Sequence, residues 1–348
     1  MTPRLTIILR LLSVVIVTVC IYFISQSLFT ESKKIIKIAF LGSKNDEDYF
    51  GSLAFKETVE RISGGKISVL IYPSGQFCGN EQECVEGLRA GTLEIHMTTF
   101  GFLSAFYPPA IAIDFPYILN DDTQAECVFQ GELVDSLRDK VLANKSNIRL
   151  MTIGNTGGWR AFANNKRPIT NYDDFSGLKF RVISSDLHFQ FIRALSASPT
   201  PVPWSELYTA VSEGVVDGTN NSLPDLVSVN LHKSLKYYSV DNNQYMGALW
   251  WYSEKKWNGL SATEQEWVEQ GFTALRLATI NLPKKNLSDS ITTIERVGGT
   301  INFITQIERE KIKSKILPVL YQWYRSQFSS EWLDRFEKIV ASCPSEVR

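Results

Sequence analysis

Ile35-Ile36-Lys37-Ile38-Ala39-Phe40-Leu41 opens the stretch whose reading decides the fold, residues 35–98. The run is short, apolar and rich in isoleucine, as a buried strand is. Asp48–Ile62 follows with Phe50, Ala54, Phe55 and Val59 on one helical stripe, and Ser63-Gly64-Gly65 stops it. Lys66–Tyr72 reads as a second strand, turned by Pro73-Ser74-Gly75. Asn80–Ala90 reads as a second helix, ended by Gly91, and Leu93–Thr98 as a third strand. This alternation predicts an α/β domain with a largely parallel sheet.

The rhythm repeats outward from there. Arg149–Ile153 and Leu178–Ile183 read as strands, Asp186–Leu195 as a helix, and Trp204–Glu213 as a helix closed by Gly214. Gly218–Ser222 reads as a strand end and Met246–Tyr252 as a further strand. Trp250 and Trp251 are adjacent on it, so they point to opposite faces, and both are expected to pack. Ser261-Ala262-Thr263-Glu264 is a capping box. The helix behind it is expected to run past Leu275 to Val297, disturbed at Pro283. The C-terminal hundred residues read as mostly helical. Two α/β units facing each other make a cleft, because ligands sit at the carboxyl ends of such strands. The fold expected is therefore a two-lobed, venus-flytrap binding protein.

Composition agrees. The chain has 348 residues, 44% hydrophobic and 21% charged, with 36 basic against 37 acidic side chains. That length suggests about two domains. The balanced charge gives no footprint for nucleic acid, and three histidines (His96, His188, His232) make a His-rich metal site unexpected. Arg4 and Arg10, the apolar run Leu11–Ile24, and Ser25-Gln26-Ser27 form the pattern of a secretory signal. Stretched to Phe29, the run approaches the length of a membrane anchor, so residues 1–27 are read as signal peptide or anchor. Either way the remainder faces an exported compartment. Beyond Cys20, the cysteines Cys78, Cys84, Cys127 and Cys343 are readable as buried thiols or as one or two bridges. A bridge through Cys78, in the loop before the helix carrying Cys84, is the preferred one.

The usual catalytic signatures are missing: no G-x-S-x-G, no G-x-G-x-x-G after a strand, no H-E-x-x-H. Ser63-Gly64-Gly65-Lys66 continues with Ile67, where a P-loop needs Ser or Thr. No enzyme, cofactor or metal is expected, although an exported hydrolase needing only two carboxylates stays open.

One region is more specific. It contains Gly157-Gly158-Trp159-Arg160, Arg167-Pro168-Ile169, Asp174-Phe175-Ser176-Gly177-Leu178-Lys179-Phe180-Arg181, Pro203-Trp204-Ser205-Glu206-Leu207-Tyr208-Thr209-Ala210 and Val216-Asp217-Gly218-Thr219-Asn220-Asn221. In this order the motifs resemble the substrate-binding subunits of TRAP transporters (tripartite ATP-independent periplasmic transporters), DctP type. Tyr72-Pro73-Ser74-Gly75-Gln76, Gly79-Asn80-Glu81 and Phe115-Pro116-Tyr117 fit as well, so the resemblance runs from about Ile36 to the end. It implies a periplasmic receptor for a small organic carboxylate. It also implies delivery to small and large membrane subunits driven by an ion gradient, and a long helix bridging both lobes. It places lobe I at 35–156 and 246–286, and lobe II at 157–245 and 287–340. A ligand sensor for a signalling receptor on the same fold is the alternative. The ligand's identity is not legible.

The resemblance assigns Arg181 to the ligand carboxylate, which its planar fork can hold with two parallel charge-assisted bonds. Read without it, Arg181 is a structural ion pair with an acid such as Asp217. Arg160 would be a second cation. Asn221 can both donate and accept. Trp204 is readable as a ring over the ligand's carbon skeleton or as core packing. Thr99, Phe100 and Asn45 are expected at the cleft because they follow strands. The chain departs from the family pattern at Asn220, where Glu is common, and at Ser222, where Pro is usual.

Overall fold

A computed structural model of the chain describes residues 33–280 and 282–346. The signal-or-anchor reading of residues 1–27 lies outside them. Among the described residues the strands are, in chain order, β1 (Lys34–Ala39), β2 (Ile67–Tyr72), β3 (Ile95–Thr99), β4 (Ile148–Trp159), β5 (Ala161–Asn164) and β6 (Lys179–Val182). They continue with β7 (Ser198–Pro201), β8 (Gly218–Asn221), β9 (Tyr237–Val240), β10 (Tyr245–Ser253) and β11 (Thr300–Phe303). They form two sheets, β2-β1-β3-β10-β4 and β11-β9-β5-β8-β6-β7.

In the first sheet β1 runs parallel to β2 and β3, while β10 is antiparallel to both β3 and β4. Both faces are buried, which is why β1 reads as a continuous apolar run. Ile36, Ile38, Phe40 and Trp250 face one core, with Phe55 and Phe272 packed on them. Ala39, Leu249 and Trp251 face the other. The two tryptophans are fully buried on opposite faces, as strand geometry requires. Asp46 caps the helix Glu47–Ile62 by accepting from the Tyr49 amide, and Asn80 caps Glu81–Ala90 the same way on Glu83. The second sheet is likewise sandwiched. Phe162 and Phe180 meet Phe191 and Ile312 on one side, and Ala161 and Ala163 meet Leu226 and Tyr238 on the other.

Four short strands, β5, β7, β9 and β11, are absent from the sequence reading. Each has four residues, too few to show a period, and β7 contains Pro199 and Pro201 at the edge of its sheet. β4 runs six residues beyond Ile153 through Gly157 and Gly158, whose φ values of 105° and 83° suit glycine alone. Arg160 is the single residue between β4 of the first sheet and β5 of the second. The chain returns through residues 241–244 between β9 and β10.

The capping box at Ser261 is formed, with the Glu264 amide donating to Ser261 Oγ and the Ser261 amide to Glu264 Oε2. Behind it lie two helices, Ala262–Ile280 and Leu282–Arg296. Pro283 falls in the first turn of the second, where no intrahelical N–H is needed. The first helix packs on Glu47–Ile62 and β4, the second on Leu223–Ser228 and β11, so the pair bridges the two sheets. The helix Glu331–Ser342 contributes Trp332, Phe336 and Val340 to the first sheet's core and Leu333 to the second's. Disulfides join Cys78 to Cys84 and Cys127 to Cys343. The bridge through Cys78 is thus present, and the remaining two cysteines make another rather than staying thiols. Among the described residues no helix is long and apolar enough to cross a membrane.

Candidate functional site

A cavity of about 340 Å³ opens where the carboxyl ends of strands from both sheets meet. That is the size range of a small-molecule site. From the second sheet come Arg181 at the end of β6 and Asn221 at the end of β8. Arg160 comes from the crossing between the sheets, and Trp204 from the turn after β7. From the first sheet come Leu41 and Gly42 beyond β1 and Thr99 closing β3.

Arg181 is only 5% exposed. Its Nε donates to the Val202 carbonyl at 2.8 Å, and its Cζ lies 5.8 Å from the Trp204 ring centroid. Those contacts fix the stem, and the two terminal nitrogens donate to no protein atom among the described residues. The structural ion pair with Asp217 is not formed. That carboxylate accepts from the Lys179 amide at 2.8 Å and lies 3.4 Å from Lys166 Nζ. Burial first, and then the nearby positive Arg160, push the Arg181 guanidinium down to about 9.

Arg160 is equally buried. Its Nη1 donates to the Asn220 carbonyl at 2.8 Å, and its Nε has no partner. Burial lowers its pKa, opposed by Asp114 and Asp225. Asp114 itself accepts from His188 Nε2 at 2.7 Å and from Gln244 Nε2. Asn221 uses Oδ1 on the Ser222 amide, leaving Nδ2 for the cavity. The two departures at 220 and 222 have local reasons. Asn220 donates to Asn243 Oδ1, and Ser222 caps Leu223–Ser228 by accepting from the Asp225 amide.

Beside the arginines stands a group the sequence reading missed. Asp46, Asp48 and Asp225 line the same cavity, each under a tenth exposed. Thr156 donates to Asp48 Oδ2 at 2.8 Å, while Asp48 Oδ1 is buried without a partner. Burial first, and then repulsion from neighbouring acids, Glu47 included, push all three carboxyls up, Asp46 to about 7 and the other two well above the usual range. A signal existed for two of them. Asp46 follows β1 at a helix cap, and Asp225 completes a Ser-x-x-Asp start four residues after Asn221.

An arginine fork with free nitrogens, a second buried guanidinium and an amide at converging strand ends suit an organic acid. The sequence model "Bacterial extracellular solute-binding protein, family 7" (DctP) matches residues 41–327. The chain belongs to this family. This solute-binding protein is 28% identical over 260 residues to the sialic acid-binding periplasmic protein SiaP of Vibrio cholerae, covering 73% of the chain and 78% of the relative. It is 27% identical to the C4-dicarboxylate-binding periplasmic protein DctP of Rhodobacter capsulatus, covering 82% and 85%. A TRAP periplasmic solute-binding protein from Bordetella bronchispeptica, with density assigned to pantoate, superposes with a TM-score of 0.82 at 25% identity, over 88% and 99% of the two chains.

Of the residues expected at this solute-binding protein's site, the structure brings together Arg181, Arg160, Asn221, Trp204 and Thr99. Two are corrected. Asn45 is exposed and away from the cavity, because Asp46, not Asn45, turns inward to cap the helix. Phe100 begins a turn of 3₁₀ helix that carries its ring into the core, 4.7 Å from Phe129 and over Gly247. Glu206 and Tyr208 of the same motif as Trp204 are exposed.

Proposed function

We propose that this family 7 protein is a periplasmic receptor that binds a small organic carboxylate in the cavity. It then hands the ligand to the small and large membrane subunits of a TRAP transporter. The observation that carries the reading is Arg181, a buried guanidinium with two unused nitrogens at a strand end. Burial without an anion is costly for a charge, so such a residue calls for a carboxylate from outside. Sialic acid, C4-dicarboxylates and pantoate, which the relatives' names give, share that group. The ligand carboxylate takes the Arg181 fork, with Arg160 and Asn221 on its remaining oxygens and hydroxyls, Thr99 beside them and Trp204 over the carbon skeleton. Two lobes, 35–156 with 246–286 and 157–245 with 287–340, close on it, and no covalent step is needed.

A thermal-shift screen of organic acids tests the reading. A ligand at 100 times its dissociation constant adds about 2.7 kcal/mol, which raises Tm by several degrees in a protein of this size. Uptake in vesicles carrying the two membrane subunits should then depend on the loaded receptor. A screen in which neutral sugars shift Tm and no carboxylate does would overturn the reading.

A further inference from the structure

The cavity's lining carries more acids than bases. Arg160 and Arg181 share it with Asp46, Asp48, Asp225 and Glu81, and of these acids Glu81 alone has a basic partner, His96 Nε2 at 2.6 Å. No ion pair joins the two sets, and among the described residues no lysine, arginine or histidine pairs with any of the three aspartates. They are separate walls of one space: the arginines with the second sheet and the crossing, Asp46 and Asp48 at the helix start beyond β1. Asp225 stands beside Gly157, where a Cβ would come within 2.8 Å of its Oδ1.

Two buried, unpartnered polar atoms mark what is missing. Arg160 is 4% exposed and its Nε donates to nothing; Asp48 is 1% exposed and its Oδ1 accepts from nothing. One wants an acceptor, the other a donor. No group of three or more His, Cys, Asp or Glu among the described residues is disposed to hold a metal ion. A ligand amine supplies such a donor.

We propose that the ligand is a zwitterion, a small carboxylate that also carries a protonated amine, with its carboxylate on Arg181 and Arg160 and its ammonium on Asp48, Asp225 and Asp46. This rests on the carboxylate reading above and narrows it to an amino acid or amine-bearing acid. An ammonium has three donors, enough to serve Asp48 Oδ1 and both neighbouring carboxylates. It also removes the repulsion among them, which a ligand of purely negative charge would increase. Leu41, Met97, Phe102 and Met246 line the space between the charged walls, where a short carbon skeleton would lie. Burial and neighbouring acids raise the pKa values of the three aspartates, and a nearby cation would favour their charged forms.

The test uses matched pairs that differ only in amine against hydroxyl: L-glutamate and L-2-hydroxyglutarate, L-aspartate and L-malate, 4-aminobutyrate and 4-hydroxybutyrate. Each is titrated calorimetrically into the purified full-length receptor at pH 7.5, with succinate and gluconate as amine-free references. The expected result is that an amine member binds at least about tenfold tighter than its hydroxyl partner. Asp48→Asn and Asp225→Asn should each erase that preference, while their Tm stays at or above wild type. If succinate, gluconate or a hydroxy acid binds as tightly as or tighter than every amine, and the aspartate variants strengthen it, the zwitterion proposal falls and the carboxylate reading stands. If no amine, hydroxy acid or reference acid gives heat, both fall.

Discussion

Replacing Arg181 by alanine separates a ligand arginine from a structural one. The side chain is 5% exposed, holds Val202 O through Nε, and has no carboxylate partner among the described residues. A guanidinium pushed down to about 9 by burial and by the nearby positive Arg160 carries a penalty on the order of a few kcal/mol. A ligand carboxylate offsets that penalty. Deleting the arginine leaves the carboxylate desolvated and unpaired, a loss on the order of 3–5 kcal/mol. Affinity should then fall at least about a hundredfold, since each 1.4 kcal/mol is tenfold. The ligand-free protein behaves differently, because alanine removes the unpaired charge along with one hydrogen bond and the Trp204 contact. Its Tm should stay within a few degrees of wild type. Arg181→Lys should recover only part of the affinity, because a point charge lacks the planar fork. Calorimetric titration with the best acid from the screen, beside a melting curve, reads both quantities. Near-wild-type affinity in an Arg181→Ala protein with a clearly lower Tm would refute the reasoning.

Other outcomes are equally concrete. Asp46 has its pKa raised from 3.8 to about 7, so the stability this gives is full below the unfolded value and is lost as pH rises through 7. Asp48 and Asp225 shift in the same direction. The ligand-free Tm should be higher at pH 6 than at pH 8, and Asp48→Asn should flatten the difference; a Tm that rises from pH 6 to 8 would contradict the burial argument. Non-reducing peptide mapping should find Cys78 joined to Cys84 and Cys127 to Cys343. Replacing the second pair by serine, across 216 residues of separation, should cost about 2–5 kcal/mol in urea unfolding. Gly247→Ala would push a methyl into the Phe100 ring and should cost about 1–3 kcal/mol. A Phe100→Leu second change should return part of that. Asn45→Ala should leave ligand affinity unchanged, since its side chain is exposed.

The strand–helix rhythm of residues 35–98 was legible because burial on both faces of the first sheet writes long apolar runs. The second sheet was legible only at β6 and β8, where the motifs lie. β5 and β9 are buried but too short to carry a period, and β11 is a half-exposed edge strand. Site residues were legible where a charged side chain interrupts an apolar strand, as at Arg181. Residues placed only by following a strand divided: Thr99 reached the cavity, whereas Asn45 and Phe100 missed it because the first turn of the next helix sets which side chain faces inward. The aspartate wall went unread because acids at helix starts are common, and only the fold shows that three of them converge.

The position of β10 bears on how the chain is made. In the first sheet it lies between β3 and β4, yet it is the fourth-last stretch of regular structure before residue 300 and comes after nearly all of the second sheet. A chain delivered from its N-terminus therefore holds β1 to β4 without their joining strand until Ser253 has emerged. β4 has no neighbour until then. The helix Glu331–Ser342 and the Cys127–Cys343 bridge come later still, so the first unit begun is among the last finished. Such long-range closure is slow. A fragment ending at residue 243 should lack cooperative unfolding by circular dichroism, and the waiting edges of β3 and β4 are the places where a holding chaperone would act.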